Sequence, residues 1–338
     1  MATSVVGTDI KIYDDQFHTG LSEGIDQRFT AFNQASLGSI TLMDERIDGD
    51  FQKAAFLKRV NGLVSRRDPT DLTSATSLKV VEDELIGVKV ESLMGPLEMT
   101  MNSFKKMGIG GNVDWNSPEV ISLLLGEYVA LEILVDKVNT AIRSVSAAIG
   151  GQAAIVNDIT AASTKTLNTE AAIDALAKSS DSFDDIVLWV CHGKPYWNWV
   201  KEQAQTNRDG ITNFVIQTAS PVTLNRPVLV IDSPGLVTTV GSGTSAQTAY
   251  YTLGLRAGAV NVKNAEPETM YGEIVTGLKN LVVRLQGEGA YMVDVRGFKW
   301  DVTNGGKYPS DSALGTGTNW DKAVTSDKHL AGVAVLSL

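Results

Sequence analysis

Between Ser117 and Gly151, apolar residues recur at helical spacing: Ile121, Leu124, Leu125, Tyr128, Leu131, Val135, Val138, Ile142, Val145 and Ile149. Glu132, Asp136, Lys137, Asn139, Thr140 and Arg143 fall on the opposite side. The pattern predicts one long amphipathic helix with Ile121, Leu124, Tyr128, Leu131, Val135, Val138 and Ile142 as its core stripe. Ser117 suits the N-cap, and Pro118 the first helical position, where a missing N–H costs nothing. Gly150-Gly151 supplies the stop. At about 1.5 Å per residue the rod is roughly 48 Å long, against ~11–12 residues for an ordinary helix. A flat, extended subunit needs such a rod, whereas a small compact domain does not.

Upstream, Phe17, Leu21, Ile25, Phe29 and Phe32 trace a narrow helical stripe. Gly20 and Gly24 weaken it by about 1 kcal/mol each relative to alanine, so this arm needs a surface to lie on. The segment FQKAAFLKRVNGLVSRR carries Lys53, Lys58, Arg59, Arg66 and Arg67 and no acid. A polar stretch from Asp68 to Ser77 follows. Then Ile86, Val88 and Val90 alternate with Gly87, Lys89 and Glu91, the period of a strand with one covered face. Together these predict a two-stranded projection with a polar tip, which is marginal in water by itself.

Beyond the long helix, residues 160–271 read as a mixed α/β lobe. Thr169 to Lys178 is a short helix, Ile186 to Cys191 a buried strand, and Pro195 opens a second helix bearing Tyr196, Trp197, Trp199 and Val200. Both tryptophans are expected in the core of this lobe. Phe214 to Ile216 and Val228 to Ile231 read as further strands between turn residues. In the last stretch Tyr291, Val293 and Val295 alternate with Met292, Asp294 and Arg296; Asn304 to Asn319 reads as loop, and Leu330 to Leu336 as a final apolar strand.

Composition narrows the function classes. The chain has 338 residues and a net charge of −10, which disfavours wholesale electrostatic binding of nucleic acid. One cysteine, Cys191, excludes an internal disulfide and a cysteine-ligated zinc site. The N-terminal MATSVVGTDIKIYDD lacks the charged and apolar regions of a signal peptide, and no apolar run reaches the ~18 residues of a membrane span. No membrane association is expected.

The candidate chemistry is sparse. VLVIDSPG, an apolar strand ending at Asp232, has the outline of a nucleotide-hydrolase switch, but no GxxxxGK[ST] loop accompanies it, and a proline turn explains it better. Cys191 and His192 are adjacent on a strand and point to opposite faces, so they form no nucleophile–base pair. His18, His192 and His329 lack ligand spacing to one another. No enzyme activity, cofactor or metal is expected. In an acidic chain the basic run is better matched to acidic surface on a neighbouring copy than to nucleic acid, which assigns Lys58, Arg59, Arg66 and Arg67 to inter-subunit contacts. A rod, a ribbon and a loosely anchored arm are unstable alone, so the protein is expected to be completed by its own copies.

Four stretches carry a resemblance: GDFQKAAFLKRVNGLVSRRDPT (Gly49 to Thr70), GVKVESLMGPLEMTMNSFKKMG (Gly87 to Gly108), HGKPYWNWVKEQ (His192 to Gln203) with LNRPVLVIDSPGL (Leu224 to Leu236), and TNWDKAVTSDKHLAGVAVL (Thr318 to Leu336). In this order the chain resembles the major capsid protein of tailed double-stranded-DNA bacteriophages, the α+β fold of Hong Kong ninety-seven type. The resemblance implies an N-terminal arm at 1–46, an E-loop with flanking strands at 47–110, a P-domain with its spine helix at 111–159, an A-domain at 160–271, and P-domain C-terminal strands at 272–338. It implies self-assembly as hexamers and pentamers into an icosahedral shell around double-stranded DNA held without sequence-specific binding. The location would be the virion capsid, and the host cytoplasm during assembly. A portal and decoration proteins are further implied partners. With 48 residues before Gly49, a scaffolding protein made separately is expected. No residues match the lysine–asparagine cross-link of some members. An encapsulin-like compartment is the alternative within the fold, and a nucleotide hydrolase using Asp232 the alternative outside it.

Overall fold

The computed structural model describes residues 25, 28–43, 51–58, 64, 66, 70, 77–100, 118–209, 226–280 and 282–338. One sheet is built from β1 (Ile40–Met43), β2 (Phe51–Leu57), β3 (Glu82–Thr100), β9 (Val260–Val275) and β10 (Val282–Val295), in the order β1-β9-β10-β3-β2. Its registers align Leu42 with Val262, Val262 with Val293, Val293 with Val88, and Val88 with Phe51. One apolar row therefore crosses all five strands, and period-two alternation puts polar residues such as Thr41, Asn261 and Gln52 on the other face. Asp294 lies over Gly87 on that polar face, where a Cβ would meet its carboxylate oxygen at 1.8 Å. Past Val90 the strands β3, β10 and β9 continue together as a three-stranded flap. In the other direction β3 pairs with β2 as the expected ribbon.

The spine is α1 (Pro118–Gly150), 33 residues long. Its buried stripe is Ala130, Ile133, Lys137, Ala141, Ser144 and Ala148, which differs from the expected one. Val138 and Ile142 are buried and Leu131 partly so, but Tyr128 is 69% and Val135 44% exposed. The side chains of Ile121 and Leu124 lie outside the described residues. Lys137 and Thr140, placed by periodicity on the solvent side, are buried. The cause is a change of surroundings along the helix. The first half touches the sheet on one side, through Ala130 and Ile133, and Tyr128 and Val135 face away from it. From Val138 onward the helix is covered on several sides, and small residues allow close approach: a Cβ on Gly235 would lie 2.6 Å from the backbone N and Cα of Arg143.

The second sheet contains β4 (Val156–Asp158), β5 (Ile186–Cys191), β6 (Val228–Val230), β8 (Gln247–Arg256) and β13 (Gly332–Ser337), in the order β4-β13-β8-β5-β6, with β7 (Val237–Val240) also on β8. It carries α2 (Thr169–Ala177), N-capped by Asn168, and α3 (Gly193–Asp209). Trp199 of α3 is fully buried edge-on against Trp189 of β5, with ring centroids 6.2 Å apart. A small pair, β11 (Phe298–Trp300) and β12 (Trp320–Lys322), closes over Trp300 and Trp320.

The division expected at 271–272 falls inside β9, which pairs with β10. The C-terminal strand β13 pairs with β8 and β4 and also packs against the spine. Part of the stretch expected as loop forms two short helices, α4 (Val302–Gly305) and α5 (Asp311–Leu314), capped by Asp301 and Ser310. The expected strand Phe214 to Ile216 lies outside the described residues.

Candidate assembly surfaces

Along the ribbon, Lys53 pairs with Glu84 across strands at 3.1 Å. Lys58 pairs with Asp83 at 2.5 Å, and Lys299 reaches the same carboxylate at 3.2 Å. The hydrogen bond from Lys58, helped by the Glu84 amide and Lys299, holds the Asp83 carboxyl down at about 2 despite burial pushing it up. The antiparallel register places Lys58 diagonally across from Asp83, so its charge has a partner within its own chain. Arg66 is exposed, and Arg59 and Arg67 lie outside the described residues. The ribbon also exposes apolar groups: Leu57 at 63%, and, on the segment leading into β3, Leu78, Val80 and Val81, the last of which accepts the Lys58 N–H.

The flap's outer face is polar. Arg284 bridges Glu98 and Glu273, one residue from each flanking strand. Lys89 is buried between Glu266 at 2.6 Å and Glu91 at 2.8 Å, and the hydrogen bond that it donates to Glu266 leads in raising its pKa.

On the spine side Lys137 is the centre. It is 2% exposed, donates to Asn264 Oδ1 at 2.8 Å, and contacts Glu268 Oε1. Its ammonium sits 5.2 Å from the Phe29 ring centroid and 5.6 Å from that of Tyr291. Tyr291 donates from its hydroxyl to Asp136 Oδ2 at 2.8 Å and lies 3.0 Å from the Thr140 hydroxyl. Burial pushes its phenol well above the usual range, so it stays a donor. Sequence reasoning missed this group. The available signal was that the i−4 and i+4 neighbours of Lys137 are Ile133 and Ala141, which form a second apolar stripe with Lys137 inside it.

The chemically suggestive residues do not assemble into a reactive site. Asp232 Oδ1 accepts the Gly193 N–H at 3.0 Å, so this carboxylate caps α3. The Ser233 hydroxyl accepts from the Gly235 amide in a single 3₁₀ turn. His192 Nδ1 lies 3.5 Å from Asp232. Cys191 is fully buried, its thiol pushed up to about 12 by burial, which keeps it a poor nucleophile. Trp199 is in the core as expected, whereas Trp197, two positions earlier and across the helix, is 67% exposed. Among the described residues no cluster of three or more His, Cys, Asp or Glu side chains could hold a metal ion, and no helix is long and apolar enough to cross a membrane.

This arrangement of long spine, ribbon, flap and lobe matches known shells. The capsid of Ralstonia phage GP4 is 12% identical over 88% of this chain and 87% of that chain, with a TM-score of 0.48. The acid-stable capsid of Helicobacter pylori bacteriophage KHP30 is 9% identical over 88% of each chain, with a TM-score of 0.50. That of Microbacterium phage Oxtober96 is 12% identical over 89% and 90%, with a TM-score of 0.46. No curated protein matches the chain. The fold is the α+β Hong Kong ninety-seven type expected from the sequence. The profile of the Gp13-like family, described as major capsid protein 13-like, matches residues 9–334, and the chain therefore belongs to this family of tailed-phage major capsid proteins.

Proposed function

We propose that this capsid protein builds an icosahedral shell of hexamers and pentamers around double-stranded DNA, without enzymatic activity of its own. The observation that carries the reading is the ribbon of β2 and β3, two strands wide and exposing Leu57, Leu78, Val80 and Val81. Isolated two-stranded ribbons are marginal, so a neighbouring copy is the natural cover. Arg66, with Arg59 and Arg67, is assigned to acidic surface on that neighbour. The 1–46 arm, 47–110 E-loop, 111–159 spine, 160–271 A-domain and 272–338 P-domain strands keep their proposed roles, with the proposed boundary at 271–272 moved clear of β9.

The acidic balance of the chain, −10 overall, suits a wall that confines DNA without gripping it. The use of Asp232 as a helix cap supports a structural role over nucleotide hydrolysis. Scaffolding, portal and decoration proteins are proposed as further partners on the family resemblance, and the host cytoplasm as the place of assembly. Electron microscopy of particles made by the chain with the head-assembly proteins of its phage tests the reading. Closed shells with ring-shaped capsomers and nuclease-protected DNA are expected. Shells filled with cargo protein and free of DNA would favour the encapsulin-like alternative, and soluble monomers under the same conditions would refute shell formation.

A further inference from the structure

Two kinds of contact hold the first half of the spine to the flap. One is apolar: Ala130, Ile133 and Met270 are buried together, with Met94, Leu285, Val129 and Ile25 packed around them. Contacts of this kind are non-directional, so they fix the angle of the helix less sharply than directed bonds do. The other is the polar group around Lys137, and its bonds are directional.

Lys137 joins four parts of the chain. It belongs to the spine, its hydrogen-bond partners Asn264 and Glu268 belong to β9, Tyr291 belongs to β10, and Phe29 belongs to the helical stretch at 28–35. The β9 backbone is shaped to meet it. Between the pairs Glu288–Thr269 and Tyr291–Asn264, β9 takes five steps where β10 takes three, so two extra residues are accommodated as bulges around Pro267. Bulges re-aim side chains, and proline is tolerated there because a ladder N–H is already lost. The result directs Asn264 and Glu268 to the spine while Glu266 pairs with Lys89.

We propose that Lys137 is the specificity-determining residue of assembly: its directional bonds fix the angle between spine and flap, and that angle sets the size of the closed shell. The inference rests on the reading of this protein as a shell subunit. Its force comes from leverage. From Tyr291 to Val282 the strand runs roughly 30 Å at about 3.3 Å per residue, so a tilt of about 10° at the joint moves the flap tip by roughly 5 Å. A displacement of that size exceeds what contacts between neighbouring copies tolerate without repacking. Buried ion pairs contribute little net stability compared with well-packed apolar groups, and fixing register is their best-attested use. Phe29 extends the coupling to the arm, since lifting its ring removes one wall around the ammonium.

The test is Lys137→Met combined with Glu268→Leu, which removes both charges and keeps apolar bulk. The variant is expected to fold, with a subunit melting temperature equal to or above that of the wild type, yet to give particles several-fold more dispersed in diameter, with open sheets or tubes among them. Particles of one wild-type diameter from this variant overturn the proposal. If the double variant fails to fold, Asn264→Leu combined with Glu268→Gln removes one directional bond of Lys137 and weakens the other with little change in volume, and a broadened diameter is again expected; a single wild-type diameter from that variant then overturns it. Absence of shells from the wild-type chain in the same assembly reaction would refute the shell reading itself, and so is distinguishable from failure of the Lys137 role.

Discussion

Adding one methyl group at Gly235 probes the joint between the spine and the second sheet. The new Cβ would sit 2.6 Å from both N and Cα of Arg143, and 2.9 Å from its Cβ. Comfortable carbon contacts begin near 3.5 Å, so helix and turn must part by about 1 Å. The obstruction is backbone on both sides, which no rotamer change relieves. Overpacking of this kind costs typically 1–3 kcal/mol, and the rigid surroundings place Gly235→Ala near the upper end, at about 2–3 kcal/mol. At about 2–4 °C per kcal/mol for a chain of this order of size, the unassembled subunit should melt roughly 4–12 °C lower. Differential scanning calorimetry of unassembled subunits reads this directly. A variant melting within about 1 °C of the wild type would show that spine and turn are not in close contact, and the joint as described would be wrong.

Three further outcomes are expected. Ile142→Asn, at a fully buried position, should cost several times more subunit stability in urea titrations than Val135→Asn, which should stay within about 0.5 kcal/mol; equal effects would contradict the spine's burial pattern. Burial, opposed in part by Lys263, raises the Asp294 carboxyl from 3.8 to about 6, so the folded state binds the extra proton and stability falls as pH rises between those values. Asp294→Asn should flatten that slope, worth about 2 kcal/mol between pH 4 and 7, and an unchanged slope in urea midpoints would exclude Asp294 as its source. Replacing Arg66 and Arg67 together by glutamate should lower the yield or thermal resistance of empty and filled shells alike, whereas normal empty shells with defective packaging would point to a DNA contact instead.

The elements that could be read from the chain were those whose signal is local. The long helix announced itself through unbroken periodicity and its proline start. The strand around Val88 did so through alternation, and the proline turn at Asp232 through the missing phosphate loop. What escaped depended on partners distant in sequence. Tyr128 and Val135 have the right spacing for core, but the sheet lies against the neighbouring stripe of Ala130 and Ile133. Lys137 read as solvent-facing because Asn264 and Glu268, more than a hundred residues away, are what make its burial tolerable. The strand Gly332–Ser337 was recognisable as apolar, but nothing in its composition says that Gln247–Arg256 and not β10 receives it. Lys58 looked available to a neighbour because its partner Asp83 lies across a register that only the folded ribbon defines.

The apolar row from Leu42 to Phe51 also bears on how the chain is made. Its members come from distant parts of the translation product: β1 pairs in parallel with β9, with the Thr41 hydroxyl bonded to the Val260 carbonyl at a sequence separation of 219. At about 5–20 residues per second, a ribosome that has made β2 needs on the order of 10–50 s more to finish β10. Until then the ribbon has no third strand to rest on, and the sheet has no centre. Contacts of such long range also make folding slow once the chain is complete. A nascent chain is therefore unable to present a finished assembly face, and copies crowded on one polysome are kept from joining prematurely. The corollary is a period in which β1, β2 and β3 are open to wrong partners, when a holding chaperone would be most needed.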